Sequence, residues 1–399
     1  MPITSSVWDS DERKALRATV RGFVEREILP HQNDWERTGL VPRELHRKAA
    51  ALGLFGLGVA EEIGGSGGDL IDASILAEEL HYAGAAGGVF ASLFTHGIAL
   101  PHLIAAGDPI QIEKWVRPTL AGEKIGSLAI TEPGGGSDVG HLRTRAERVP
   151  GAPASGPDGH RDGDHYVVNG SKTFITSGVR ADFVVTAVRT GGDGAGGVSL
   201  LVIEKDTPGF TVARKLDKMG WLSSDTAELS FVDARVPVAN LVGAENTGFA
   251  QIAQAFVTER AALAVQAYAS AQRCLDLTLA WTRDRETFGR PLISRQSVQN
   301  TLTEMTRKID VARTYTRAVI ERRVTSGDDL IAEICFAKNT AVEAGEWVAN
   351  QGVQLFGGMG YMRESEIERQ YRDMRIIGIG GGTTEILTGL AAKRSGYQA

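Results

Sequence analysis

Cysteine is nearly missing from this chain: Cys274 and Cys335 are the only two in 399 residues, far apart and forming no CxxC. Two free thiols in a reducing compartment fit that pattern best. A basic excess is missing as well. The formal net charge is −6, which leaves no electrostatic footprint for nucleic acid as a partner. Long apolar runs are absent; the longest, 49–60, is broken by glycine and too short to span a bilayer. No basic stretch leading into an apolar segment opens the chain, so the expectation is a cytoplasmic protein with no membrane partner. HExxH, GxSxG and GxxxxGK[ST] do not occur. The eight histidines sit singly, without zinc-ligand spacing, and no metal is expected.

What the chain has is glycine, 48 residues of it, and it clusters. Thr131-Glu-Pro-Gly-Gly-Gly-Ser137-Asp138 follows a strand-like run, Gln354-Leu-Phe-Gly-Gly-Met-Gly360-Tyr361 ends a helical one, and Gly380-Gly-Gly-Thr383-Thr-Glu385 opens another. Backbone N–H groups freed at such turns, with hydroxyls beside them, suit phosphate or a polar ring edge. Helix caps and tight turns account for any one of them equally well. A GxGxxG at Gly192–Gly197 has no strand-to-helix setting and reads as loop composition.

At this length two or three domains are expected, and the periodicity divides the chain accordingly. Helical spacing covers 14–28, with Asp9 or Ser10 as the cap, and then about 42–54, 69–84, 87–106 and 108–120. From Ile125 to about Asn240, short β-rich runs alternate with turns, which suggests an antiparallel barrel or sandwich. Long amphipathic helices follow over about 248–283, 294–325 and 329–355, with a last one near 383–395. The expected domains are 1–124, helical; 125–241, β; and 242–399, a helical bundle.

Glu259 stands out within the first long helix. Between Gly248 and Arg273 that helix carries only two charges, Glu259 and Arg260. A helix so apolar on all sides should be buried, and burial pushes an unpaired carboxylate's pKa upward. Neighbours on a helix point about 100° apart, so the pair need not bond to each other. Two readings remain: separate structural partners for both, or a general base in an apolar pocket.

Taken together, Ala129-Ile-Thr-Glu-Pro-Gly-Gly-Gly-Ser-Asp138, Val168-Asn-Gly-Ser-Lys-Thr-Phe-Ile-Thr176, Arg285-Glu-Thr-Phe-Gly289, the 354–361 motif and Tyr371-Arg-Asp-Met-Arg375 resemble the acyl-CoA dehydrogenase family, in order and over essentially the whole chain. The resemblance implies mixed α and β architecture: a helical N-terminal domain, a middle antiparallel β domain and a C-terminal four-helix bundle. It implies FAD. Leu128, Ile130, Thr131, Gly136, Ser137, Phe174 and Thr176 would contact the flavin and pyrophosphate. Phe174 stands where the family often has tryptophan, keeping an aromatic wall without the indole N–H. Arg285, Phe288, Gln296, Gln354, Gly357 and Gly358 would grip the FAD of a neighbouring subunit, with Thr383 and Glu385 on the near side. A homo-oligomer follows, in this family usually a tetramer. An electron-transfer flavoprotein would be the acceptor and fatty acid β-oxidation the setting.

The base is the informative departure. Much of the family has glutamate where this chain has Gly381. The long-chain and isovaleryl branches are similar to this chain, with a Glu-Arg pair like Glu259-Arg260 on the middle helix and a small residue at the other site. The resemblance therefore implies Glu259 as base. The thioester carbonyl would be held by the Gly381 N–H and a ribityl hydroxyl of FAD. Arg260 would orient Glu259 or the substrate, and Ser137, Phe256, Arg260 and Gly382 would border the acyl-CoA. The Asp225-Thr-Ala-Glu-Leu run and Gly360-Tyr-Met look closest to the long-chain branch; the small residues over 83–88 are either simple helix-end glycines or room for a long or branched tail, and chain length stays open. Rival readings on the same fold are a flavin oxidase or monooxygenase, a dehydrogenase of carrier-protein thioesters, and a non-enzymatic flavoprotein subunit.

Overall fold

The computed structural model describes residues 6–151 and 163–397. The first region is helical. Helix α1 (Asp11–Phe23) begins where the Ser10 hydroxyl accepts from the Arg13 N–H at 3.3 Å and runs on through a wider π-type turn to Ile28. Then come α2 (Gln32–Thr38), α3 (Arg43–Ala51) and α4 (Leu70–Tyr82), the last opened by an Asp69–Asp72 capping box. Next are α5 (Gly87–Leu93) and α6 (His96–Ala106). Two short pieces, α7 (Pro109–Gln111) and α8 (Arg117–Leu120), flank a π turn. The single helix expected over 87–106 is therefore two. At the break, the Thr95 hydroxyl bonds back to the Ala91 carbonyl at 2.5 Å and meets Ser177 Oγ at 2.7 Å, a tertiary tie that outweighs helical spacing.

The β region holds β1 (Gly126–Ala129), β2 (Arg145–Val149), β3 (His165–Thr176), β4 (Phe183–Arg189), β5 (Val198–Glu204), β6 (Phe210–Lys215) and β7 (Thr226–Pro237). Their order is β1-β4-β2-β3-β7-β6, with β5 also on β4. The expectation of an all-antiparallel sheet needs correction: β1 pairs with β4 in parallel, from Gly126 opposite Phe183 to Ala129 opposite Thr186. The cause is legible in β4, Phe-Val-Val-Thr-Ala-Val-Arg, which is buried at every residue. A strand covered on both faces shows no alternation, and such strands suit parallel neighbours. The Gly192–Gly197 loop folds onto the Arg189 guanidinium, which bonds the Gly192 and Gly194 carbonyls; it opens no helix.

The last region contains α9 (Gly248–Asp284), a small hairpin of β8 (Glu286–Thr287) and β9 (Arg290–Pro291), α10 (Gln296–Ser326), α11 (Ile331–Phe356), α12 (Glu366–Met374) and α13 (Thr384–Arg394). The long helices α9, α10 and α11 pack on one another, with α13 along α11 and α4 along α9. Helices α2 and α12 lie outside the segments expected from helical spacing, since each is short and mostly polar. The stretch Gly87–Ala106 is apolar enough by length and composition to cross a membrane; here α6 packs against β1 and α9.

Buried charges join the regions. Glu78 of α4 accepts from Arg17 of α1 at 2.8 Å, Arg317 of α10 at 2.7 Å and Tyr268 of α9. Asp373 of α12 accepts the backbone N–H of Gly87 at 3.0 Å and of Trp221 at 2.6 Å. Its carboxyl is pushed up by burial first and by nearby Glu36 second.

Candidate active site

Helix α9 is buried all round only over Ala264–Ala271; earlier, Ala253, Gln254 and Thr258 are exposed. The sequence expectation of uniform burial thus holds where α4, α10 and α11 surround the helix and fails toward its start. Glu259 sits at the changeover, half-buried. Burial raises its pKa, against the opposing charges of Lys338 and then Arg260. Among the described residues its carboxylate has no hydrogen bond or ion pair.

Arg260 does have a partner, and it is not Glu259. Its Nε donates to the Gly381 carbonyl at 3.2 Å, and its guanidinium lies 5.5 Å from the Phe256 ring centre. The turn it holds is one only glycine adopts easily, with φ of +64° at Gly381 and +97° at Gly382. A side chain starting at Gly381 would meet Leu263 at 2.5 Å and Glu259 Oε1 at 3.4 Å. The place of the missing side chain at 381 is thus taken by Leu263 and bordered by the Glu259 carboxylate. Thr383 caps α13, its hydroxyl accepting from the Ile386 N–H at 3.3 Å, and Glu385 is exposed in the first turn.

The most informative residue that sequence reasoning missed is Lys338 of α11. It is buried, and its ammonium donates to the carbonyl of Gly380 and to that of Gly382 at 2.7 Å. Burial lowers its pKa to about 8. A signal existed: in Ile334-Cys-Phe-Ala-Lys-Asn339 it is the one charge within a mostly apolar turn.

A second group lies at the end of β1. Leu128 and Ile130 are buried in the large apolar cluster against which Phe256 also packs. The loop after it is anchored from behind. Buried Lys172 donates to the Ile130 carbonyl at 3.0 Å and to Glu132 at 2.8 Å, while the Thr173 N–H bonds the Thr131 carbonyl at 2.9 Å. Gly136 abuts the Thr131 side chain, and Ser137 is exposed. The register of β3 on β7 slips between Lys172 and Ile175. That bulge holds Phe174 outward, 68% exposed with φ of +60°, a strained and costly arrangement typical of functional edges. Thr176 follows, half-buried.

A third group collects at one end of the bundle. Trp281 stacks on Phe356 at 4.7 Å and donates to the Leu355 carbonyl, which brings the 285–291 hairpin beside the turn ending α11. Arg285 lies 5.9 Å from the Trp281 ring, Phe288 is 96% exposed, and Gln296, Gln354, Gly357 and Gly358 are exposed too. No hydrogen bond among the described residues joins this group to the other two.

The tail space expected around 83–88 is filled. A side chain at Gly87 would strike Trp221, one at Gly88 would strike Ser223, and Gly84 lies against Arg273. Asp225 is engaged within the β region, ion-paired to Arg180 at 3.0 Å and accepting the Val179 N–H.

Comparisons with known proteins define the class and then the family. The acyl-CoA dehydrogenase N-terminal, middle and C-terminal domain models match residues 10–123, 127–234 and 246–396. A rat mitochondrial long-chain specific acyl-CoA dehydrogenase is 37% identical over 388 residues, 96% of this chain and 86% of that one. A solved structure of a putative acyl-CoA dehydrogenase from Mycobacterium smegmatis matches with a TM-score of 0.94 and 71% identity, covering 99% of this chain and 100% of that one. A glutaryl-CoA dehydrogenase from M. smegmatis, solved with FADH2, matches with a TM-score of 0.87 and 25% identity over 98% and 96% of the two chains. The class is an FAD-dependent oxidoreductase. The chain belongs to the acyl-CoA dehydrogenase family.

The residues present fit that cofactor. An aromatic face is held out on a bulge beside a threonine hydroxyl, and the N–H groups of Gly136 and Ser137 have no acceptor among the described residues. That donor set suits a ring edge and phosphate.

Proposed function

We propose that this protein carries out α,β-dehydrogenation of an acyl-CoA thioester to the trans-2-enoyl thioester, with Glu259 as base. The observation that carries the reading is the Glu259 carboxylate: unbonded, raised in pKa by burial, and 3.4 Å from where a side chain at Gly381 would start. When bound, FAD would supply the hydride-accepting chemistry for the β hydrogen. Glu259 takes the α proton. The Gly381 N–H, free of any acceptor among the described residues, donates to the thioester carbonyl as enolate charge develops; one such donor contributes roughly 2.7–4 kcal/mol. Phe256, Ser137 and Gly382 border the substrate, and the apolar wall around Phe256 excludes water, which strengthens both effects.

In this reading Leu128, Ile130, Thr131, Gly136, Ser137, Phe174 and Thr176 hold the flavin side of FAD. The separate third group, with Arg285 and Phe288 so exposed, serves the FAD of a neighbouring copy in a homotetramer. An electron-transfer flavoprotein reoxidises the protein, within fatty acid β-oxidation. The test is anaerobic mixing of the holoprotein with a panel of acyl-CoAs while the visible flavin band is followed. Rapid bleaching by one chain length or branch supports the reading and names the substrate class; an unchanged spectrum with every CoA ester refutes it.

A further inference from the structure

The turn Gly380–Gly382 has all three of its carbonyls taken by two cations. Lys338 bonds those of Gly380 and Gly382, and Arg260 that of Gly381. A trans peptide directs its C=O and the following N–H oppositely. Drawing the Gly380 carbonyl toward Lys338 therefore sends the Gly381 N–H to the other side, where no protein acceptor among the described residues meets it. The same ammonium and the base converge on Gly381: Lys338 Nζ lies 3.6 Å, and Glu259 Oε1 3.4 Å, from where a side chain there would start. Yet Lys338 and Glu259 form no ion pair. The lysine's bonds go to the turn, and its charge faces a carboxylate it does not bind.

We propose that Lys338 is a positioning residue for the dehydrogenation assigned above to Glu259, fixing the turn that presents the Gly381 N–H and supplying the positive charge that faces the base. The inference rests on that assignment. Burial raises Glu259, the Lys338 charge opposes this before that of Arg260 does, and burial in turn brings Lys338 down to about 8. The groups facing Glu259 are few. Helix α11 contributes Lys338; its Cys335, whose thiol is raised by burial, interacts with Arg260 and Lys338. Helix α9 contributes Arg260, and the 380–382 turn contributes backbone alone. Glu385 of α13 is exposed, and the charge it interacts with is that of Arg375.

The experiment compares Lys338→Met, Lys338→Gln and Lys338→Arg with the parent holoprotein. Rate of flavin reduction by the best acyl-CoA is followed against pH. Loss of the ammonium is expected to slow reduction at neutral pH by about 100-fold, the low end for losing one preorganised donor, and to move the acidic limb upward. It should also erase an alkaline limb near the lysine's titration. Gln can still bond a carbonyl, so it keeps the turn without the charge and shows the shifted limb even where Met fails to fold. Arg retains the charge and restores the acidic limb. A second readout needs no turnover: infrared difference spectra of the apoprotein, with Glu259→Gln identifying the band, report the protonated carboxyl directly. Its midpoint should rise in the Met and Gln variants. A bleached parent with acidic limbs and infrared midpoints unchanged in both neutral variants overturns the role of Lys338. A parent unbleached by any acyl-CoA overturns the assignment of the reaction instead.

Discussion

Two buried lysines, Lys172 and Lys338, each stand near a glutamate, and burial brings each down to about 8. Lys172 bonds its glutamate directly. Glu132 takes the ammonium at 2.8 Å and two backbone N–H groups, from Arg143 and Thr144, so burial's upward push is overcome and its pKa falls below the ordinary value. Lys338 bonds two carbonyls instead, and Glu259 keeps a raised pKa with its oxygens uncommitted. One arrangement closes a charge pair and makes a rigid support for the Thr131–Ser137 loop. The other leaves a carboxylate able to accept a proton. Satisfaction of hydrogen bonds separates scaffold from chemistry here more clearly than burial does.

The comparison can be broken most sharply at Glu259. Glu259→Gln is expected to retain FAD and bind acyl-CoA while flavin reduction in stopped flow slows about 10²–10⁴-fold, the range for losing a positioned base. Near-parental reduction would make the uncommitted carboxylate a bystander. Lys172→Met removes the closing charge and leaves Glu132 buried with a net charge; breaking such a pair costs about 3–5 kcal/mol. Urea unfolding and flavin content should both show the loss, and a variant as stable as the parent would make the two lysines equivalent after all. Gly381→Ala is expected to cost about 1–2 kcal/mol from left-handed backbone alone. Contact with Leu263 adds to that, and flavin reduction should slow because the N–H moves. The smallest effect concerns stability against pH. Glu259 is raised in the folded state, so its contribution to stability is present at low pH and lost as pH rises through its folded pKa. Glu259→Gln should therefore melt higher than the parent at neutral pH, and the gap should close on acidification. A gap that widens on acidification would mean the carboxylate is lowered, like Glu132.

Much of this site was legible in the sequence because its signals are local. A lone Glu-Arg pair in an apolar helix and glycines grouped with hydroxyls can be found by reading along the chain. Lys338 could not be assigned that way, since its partners lie 42 and 44 residues further on and nothing nearby requires them. The space around 83–88 misled for the same reason: small side chains signal proximity to something, and here the visitor is Trp221. In the fold, regular helices followed their spacing. The break at Phe94–Thr95 and the parallel pairing of β1 with β4 did not, because a tertiary hydrogen bond and two-sided burial decided them.

Asp373 carries a consequence for how the molecule is made. Its two backbone partners, Gly87 and Trp221, are 286 and 152 positions away along the chain, one in each of the other regions. Neither bond can form until α12 has been synthesised and both earlier regions have adopted their shapes. Contacts of such wide separation are reached late, because the entropy of closing the intervening chain is lost before they reward it. The junction of the three regions is therefore expected to be the last part of the protein to set.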